Sequence, residues 1–325
     1  MSADALSDLL KTVRLTGAAF FEIAANDPWV IESPARNVML PKILPGADHL
    51  IAYHVVTMGR CFARTSDGDT IPVEAGEVVV FTHGDTHVMS SGPGMQSGPT
   101  SAAMVDTMTS GPLPFLINFA EGVEPTTKLV CGYLACDARP FNPLMDNLPR
   151  VIKGGDPADG DNGWLGQFIR FAVAESADKR AGSEGVLSKL SELMFIEVIR
   201  RHLNSLPPGQ AGWLAGLRDP FVGKTLSLMH GAPARSWTIE DLAKEAGVSR
   251  SVLAERFTQL IGIPPIQYLA KWRMQIAAER LTAGQSNVAT VAAEIGYESE
   301  AAFSRAFKKS MGVPPSAWRR DRLHA

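Results

Sequence analysis

The chain has 325 residues, 45% of them hydrophobic and 20% charged, a composition that excludes disordered, collagen-like and coiled-coil proteins. The formal net charge of −3 is unevenly placed: from Arg218 onward there are 15 Lys and Arg against 10 Asp and Glu, and the remainder has 16 against 24. A basic C-terminal third on an acidic body points to a polyanionic partner for that third, with a solvated charged surface as the plain alternative.

At roughly 150 residues per domain the length suits about two domains. No apolar run reaches the ~18 residues that a membrane-spanning helix needs. The opening residues Met1 to Lys11 mix acids among leucines, unlike a signal peptide. Three cysteines at irregular spacing argue against a disulfide framework and for a reducing cytoplasm.

The first predicted element is a helix with Leu6, Leu9, Leu10 and Val13 on one face. From Gly17 to about Ala138 short apolar runs alternate with turn residues. Strands are expected at Ala18–Ile23, Leu50–Met58, Glu77–Phe81, Ala102–Thr107 and Lys128–Ala135, a pattern that reads as a β-sandwich or barrel. Gly154–Asn162 is a linker-like break. Two helices follow, with apolar stripes at Leu165, Phe168, Ile169, Ala172 and at Leu187, Leu190, Met194, Val198. They suit packing on the barrel, a dimer interface, or both. Pro207–Gly212 is a second break, and the chain after Arg218 reads as helical. Three regions result: 1–155, 156–215 and 218–323.

The last hundred residues repeat at an offset of 49 to 50. The first copy holds Ile239, Leu242, Ala243, Gly247, Leu253, Phe257, Gly262, Pro264, Pro265 and Tyr268. The second holds Val288, Val291, Ala292, Gly296, Phe303, Phe307, Gly312, Pro314, Pro315 and Trp318. Each copy reads as a helix, a glycine turn and a second amphipathic helix. A glycine stop and a Pro-Pro start to the next helix close it. Ser249 and Ser299 suit the caps of the second helices. A short glycine turn between two steeply crossed helices is the helix-turn-helix, whose second helix enters the DNA major groove. One such pattern is weak; two in register are strong.

On these residues the C-terminal part resembles the DNA-binding domain of AraC/XylS-type transcription regulators. The upstream part resembles the subgroup whose sensor is a cupin. The fold this implies is α+β and multidomain: an N-terminal cupin-like β-barrel, intermediate helices, and a C-terminal all-α domain with two helix-turn-helix units. The resemblance also implies a sequence-specific regulator, usually an activator, that binds double-stranded DNA, recruits RNA polymerase and answers to a small-molecule effector. A cytoplasmic homodimer without membrane association is expected.

Carried over by position, the base-reading side chains are Arg250, Ser251, Ala254 and Glu255 in the first unit, and Glu300, Ala301, Ser304 and Arg305 in the second, with Ser299 at its start. An arginine such as Arg305 can bond guanine bidentately, an alanine can only pack on a thymine methyl, and Glu255 and Glu300 can accept from cytosine N4. Arg256, Lys308 and Lys309 suit phosphate contacts, which set register without reading sequence. Arg273, midway along the connecting helix, is expected to pair internally.

The stretch Gly76–His87 fits the second cupin motif, with Thr82 in place of its usual proline. The first motif survives only in part: His54 lies on a strand, but no glutamate follows at the expected spacing. His54 and His87 could ligate a divalent transition metal such as zinc, with His83 or Cys131 as a third ligand. Cys131 and Cys136, five apart, face opposite sides of a strand, and Cys61 reads as packing. An organic effector beside Tyr53, His54 and His87 is equally compatible with these residues. No nucleophilic triad, paired carboxylates or phosphate loop can be read from spacing. A metal-dependent cupin enzyme with a helical partner domain is the runner-up reading.

Overall fold

The computed structural model describes residues 4–13, 15–44, 47–98, 106, 115–120, 122–136, 141–155, 163–178, 180–207, 209–284 and 286–323. Two compact units emerge: Leu15–Cys136 with Leu148–Ser205, and Met1–Arg14 with Asp137–Asn147 and Leu206–Ala325. Compactness therefore departs from chain order, because the first helix and the segment 141–147 belong with the C-terminal helices. No helix among the described residues is long and apolar enough to cross a membrane.

The first unit is built on ten strands: β1 Thr16–Ala25, β2 Val30–Ser33, β3 His49–Met58, β4 Arg60–Arg64, β5 Thr70–Glu74, β6 Val78–Phe81, β7 His87–Ser90, β8 Phe115–Phe119, β9 Thr127–Cys136 and β10 Val151–Gly154. A six-stranded sheet runs β10-β6-β3-β9-β1-β8, and a four-stranded sheet runs β2-β7-β4-β5. All pairings are antiparallel except β1 with β8. The expected barrel thus takes the form of two sheets enclosing one apolar core, with Phe21, Leu50 and Leu129 from the larger sheet and Cys61, Val73 and Met89 from the smaller. Four expected strands are present as β1, β3, β6 and β9, with ends no more than two residues from those expected. The expected strand at 102–107 lies, but for Asp106, outside the described residues. Helix α2 (Arg36–Ile43) follows β2; α3 (Trp164–Asp178) and α4 (Ser183–Ser205) pack together, and α4 packs on β1 within this unit.

In the second unit, α1 (Ala5–Thr12) buries Leu6 and Leu9 and is capped by Asp4. The C-terminal helices are α5 (Trp213–Arg218), α6 (Pro220–Gly231), α7 (Ile239–Ala246), α8 (Arg250–Ile261), α9 (Pro265–Ala283), α10 (Val288–Glu294), α11 (Glu300–Met311) and α12 (Pro315–Leu323). Helix α9 is the axle. Its Tyr268 and Trp272 are fully buried. Trp213 Nε1–H donates to Tyr268 Oη at 2.8 Å, and Tyr268 Oη lies 2.8 Å from His230 Nε2. Burial drops the His230 imidazole to a pKa of about 3, so it is neutral and Tyr268 donates to it. At the other end, Trp318 of α12 donates its indole N–H to Ala278 O and Thr282 Oγ1 of α9, both at 3.3 Å.

The two repeat glycines differ in their surroundings. Gly247 (φ +80°) faces open space, but a Cβ on Gly296 (φ +84°) would stand 2.3 Å from the Ala234 carbonyl oxygen. Gly247→Ala should cost about 1 kcal/mol, the left-handed conformation alone. Gly296→Ala adds a backbone clash and should cost at least twice that. Denaturant midpoints of the two variants check this; equal losses would contradict it.

Candidate nucleic-acid interface and effector pocket

The two helix-turn-helix units are α7–α8 and α10–α11. Thr238 and Asp241 form a reciprocal capping box at the start of α7, and Gly247 ends it in the left-handed conformation. Ser249 accepts from Val252 N at 3.4 Å and Ser299 from Ala302 N at 3.2 Å, so both serines cap the second helices as the sequence predicts. Leu253 and Phe257, then Phe303 and Phe307, are the buried faces of α8 and α11. Those anchors turn the remaining positions outward. Ser251, Glu255, Glu300, Ala301 and Arg305 are exposed, and Ala254 and Ser304 half-buried.

The cations divide into two classes. Arg305, Lys308 and Lys309 are exposed and carry no ion-pair partner among the described residues. Arg250 pairs with Glu240 at 3.1 Å, both exposed. Arg256 is committed elsewhere: its Nε–H donates at 2.5 Å to Asp219, a buried carboxylate that also caps α6 by accepting from Phe221 N and Val222 N. The expected phosphate contact is thereby corrected to a brace between α8 and the start of α6. Arg273 pairs internally, donating to the carbonyls of Pro233 and Arg235.

In the sheet-bearing unit, β3 and β9 pair in a register that sets His54 directly opposite Cys131. On the smaller sheet, β2 and β7 set Ser33 opposite His87. Two polar bridges then cross between the sheets side by side. His54 Nε2 lies 2.7 Å from His87 Nε2, and Tyr133 Oη lies 2.7 Å from Ser33 Oγ. Cys131 Sγ reaches the other edge of the His54 ring, 2.9 Å from Nδ1. His87 Nδ1 lies 2.9 Å from the Asp85 carbonyl, and its ring stacks on Phe81.

These contacts fix the protons. A carbonyl can only accept, so His87 carries its proton on Nδ1 and accepts on Nε2. His54 must then donate from Nε2 and accept on Nδ1, where the Cys131 thiol donates. Burial enforces this neutral chain: it depresses His87 to about 4, His54 well below the ordinary imidazole value, and lifts the Cys131 thiol well above its own.

His54, Cys131, Ser33 and Tyr133, with Glu32 beside Ser33, border a cavity of about 50 Å³ whose other walls are mostly apolar, among them Phe21, Ile23, Ile31 and Met89. Tyr53 is not among its walls. Its hydroxyl bonds Ser191 on α4 at 2.7 Å, on the opposite face of the sheet from His54, as period-two alternation requires. The Tyr53 assignment is corrected accordingly. Ser33 and Tyr133 were missed, though Tyr133 stands two residues from Cys131 on one strand and so on one face.

The proposed metal set does not converge on one point. His87 and Cys131 stand at opposite edges of the His54 ring, so no single ion can take both together with one His54 nitrogen. His83 lies against Thr82, its Nδ1 2.7 Å from Thr82 Oγ1. Among the described residues no three His, Cys, Asp or Glu side chains are grouped to hold a metal.

Comparison with known proteins agrees with both halves. Residues 4–204 match the cupin family, and residues 242–321 match a helix-turn-helix domain family. An AraC-like transcription regulator of Streptomyces lividans is 33% identical over 320 residues, 98% of each chain. One from Streptomyces antibioticus is 30% identical over 326 residues, again 98% of each. The HTH-type transcriptional regulator AlkR of Acinetobacter baylyi is 26% identical over 319 residues, 98% of this chain and 99% of that one. Among solved structures, the DNA-binding domain of AdpA in complex with a target DNA is 28% identical over 33% of this chain and 95% of that one, with a TM-score of 0.31. With a cupin-like sheet domain joined to paired helix-turn-helix units, this chain belongs to the AraC family of DNA-binding transcription regulators.

Proposed function

We propose that the chain is an effector-controlled activator that acts as a cytoplasmic homodimer, recruits RNA polymerase, and catalyses no reaction. Helices α8 and α11 are the recognition helices. Arg305 and Glu300 read bases in the second unit, and Arg250, Ser251 and Glu255 in the first, with Ala254, Ala301 and Ser304 on the groove floor. Lys308 and Lys309 hold phosphates. The observation that carries this reading is that Arg305 and Lys308 on α11 are exposed and without an ion-pair partner among the described residues, beside a buried face of Phe303 and Phe307 that fixes their direction.

The cavity beside His54 is the effector site, which favours a regulator over a metal-dependent cupin enzyme, since its histidines turn on one another. The homodimer reading is supported by Phe171 on α3 and Leu193 on α4, large apolar side chains 64% and 62% exposed.

Arg305→Ala should weaken binding by about 1–3 kcal/mol and relax the preference at one base pair. Lys308→Ala should weaken all sequences alike and lower the slope of log affinity against log salt by about one. Titrations against operator variants at several salt concentrations check both. A uniform loss for Arg305→Ala would make it a phosphate contact.

The neutral histidine chain also predicts acid sensitivity. The unfolded imidazole titrates near 6.5 and His87 in the fold near 4, so its stability contribution is complete above about 6.5 and is lost as pH falls toward 4. For His87 alone the loss is roughly 3 kcal/mol. Unfolding free energies between pH 7.5 and 4.5, compared with His87→Gln, check the sign; equal pH slopes for both proteins would contradict it.

A further inference from the structure

The two bridges across the cavity differ in their hydrogen accounting. In the Cys131–His54–His87–Asp85 chain every donor has an acceptor. The Ser33–Tyr133 pair has two hydroxyl hydrogens and one bond between them, so one O–H is left over among the described residues. Both side chains are more than nine-tenths buried and both border the cavity. A surplus buried donor beside a thiol with its own base, in a small and mostly apolar chamber, suits a molecule that is uncharged and short and carries an acceptor oxygen and an electrophilic carbon.

We propose that Cys131 covalently captures a short α,β-unsaturated aldehyde or ketone, with His54 as its base and the Ser33–Tyr133 hydroxyl pair as the donor to the carbonyl oxygen. The Sγ–H bond breaks and its proton passes to His54 Nδ1, while the sulfur electron pair forms a bond to the β-carbon. The C=C π pair shifts toward the carbonyl, and the developing enolate oxygen takes the free O–H. His54 then returns the proton to the α-carbon. Thiol and enone become a saturated thioether; no atom or electron is left over and no co-reactant is needed.

The direction of burial matters here. It holds the thiol protonated and the imidazole neutral, so proton transfer accompanies S–C bond formation instead of preceding it. Cys61 and Cys136, also buried, are not among the walls of this cavity. The mostly apolar walls, with Glu32 as their carboxylate, disfavour anionic electrophiles, and a cavity of about 50 Å³ admits only a few heavy atoms.

The inference deepens the effector reading of the same cavity, and capture and regulation are measured separately. Full-length protein is treated with methyl vinyl ketone and followed by intact mass and peptide mapping, with operator affinity measured before and after. The expected result is one adduct per chain, on Cys131, at a rate that saturates with ketone, and none in Cys131→Ser. His54→Gln should slow capture by about 100-fold. Ser33→Ala with Tyr133→Phe, which leaves the His54 chain intact, should slow it by ~10-fold or more. Adducts spread over Cys61 and Cys136, no adduct in the folded protein, or a double variant as fast as the parent would overturn the proposal. An adduct on Cys131 that leaves operator affinity unchanged supports capture and contradicts the effector reading. Absent capture leaves DNA binding through α8 and α11 standing.

Discussion

The DNA-binding unit depends on one locked helix. Helix α9 holds 19 residues, about 28 Å of rigid rod, and both helix-turn-helix units are fastened to it. Near its start Tyr268 takes the Trp213 N–H and gives its own to His230, while Trp272 stacks on that imidazole with ring centroids 4.0 Å apart. Near its end Trp318 grips Ala278 and Thr282. Polar atoms in an aromatic core have few alternative partners, so these bonds specify one arrangement where apolar packing alone would tolerate several. The fixed relation between α8 and α11 follows from that rod and its fastenings.

The cupin-like unit obtains specificity by the same means with a different result. Two sheets could slide over an apolar core at small cost, but the His54–His87 and Tyr133–Ser33 bridges tie particular residues of one sheet to particular residues of the other. His54, Tyr133 and Ser33 of these bridges also line the cavity, with Cys131 beside them. A molecule entering there must meet the groups that hold the sheets together.

The parts legible in the sequence are those set by local rules. Glycine at a helix end, serine at a cap and proline at a helix start act within a few residues, so Gly247, Ser249, Pro265 and their second-copy partners announce the helix-turn-helix units before any fold is known. The His54 cavity depends on register between distant strands. His54 and Cys131 are 77 residues apart and meet only because β3 and β9 pair, which no local pattern encodes. Grouping Tyr53 with His54 set aside the period-two alternation that the strand itself supplies. Arg256 likewise looked like a phosphate ligand because its partner, Asp219, lies 37 residues upstream.

If α8 and α11 read DNA together at a fixed separation, affinity depends on how the halves of an operator are spaced. The measurement is affinity for an operator selected from random sequence, then for the same operator with five base pairs inserted between its two halves. Half a helical turn rotates one half to the opposite side of the duplex. A rigid pair of recognition helices predicts that affinity falls to that of DNA carrying a single half. Undiminished affinity for the spaced operator would contradict the account, leaving one unit to bind alone.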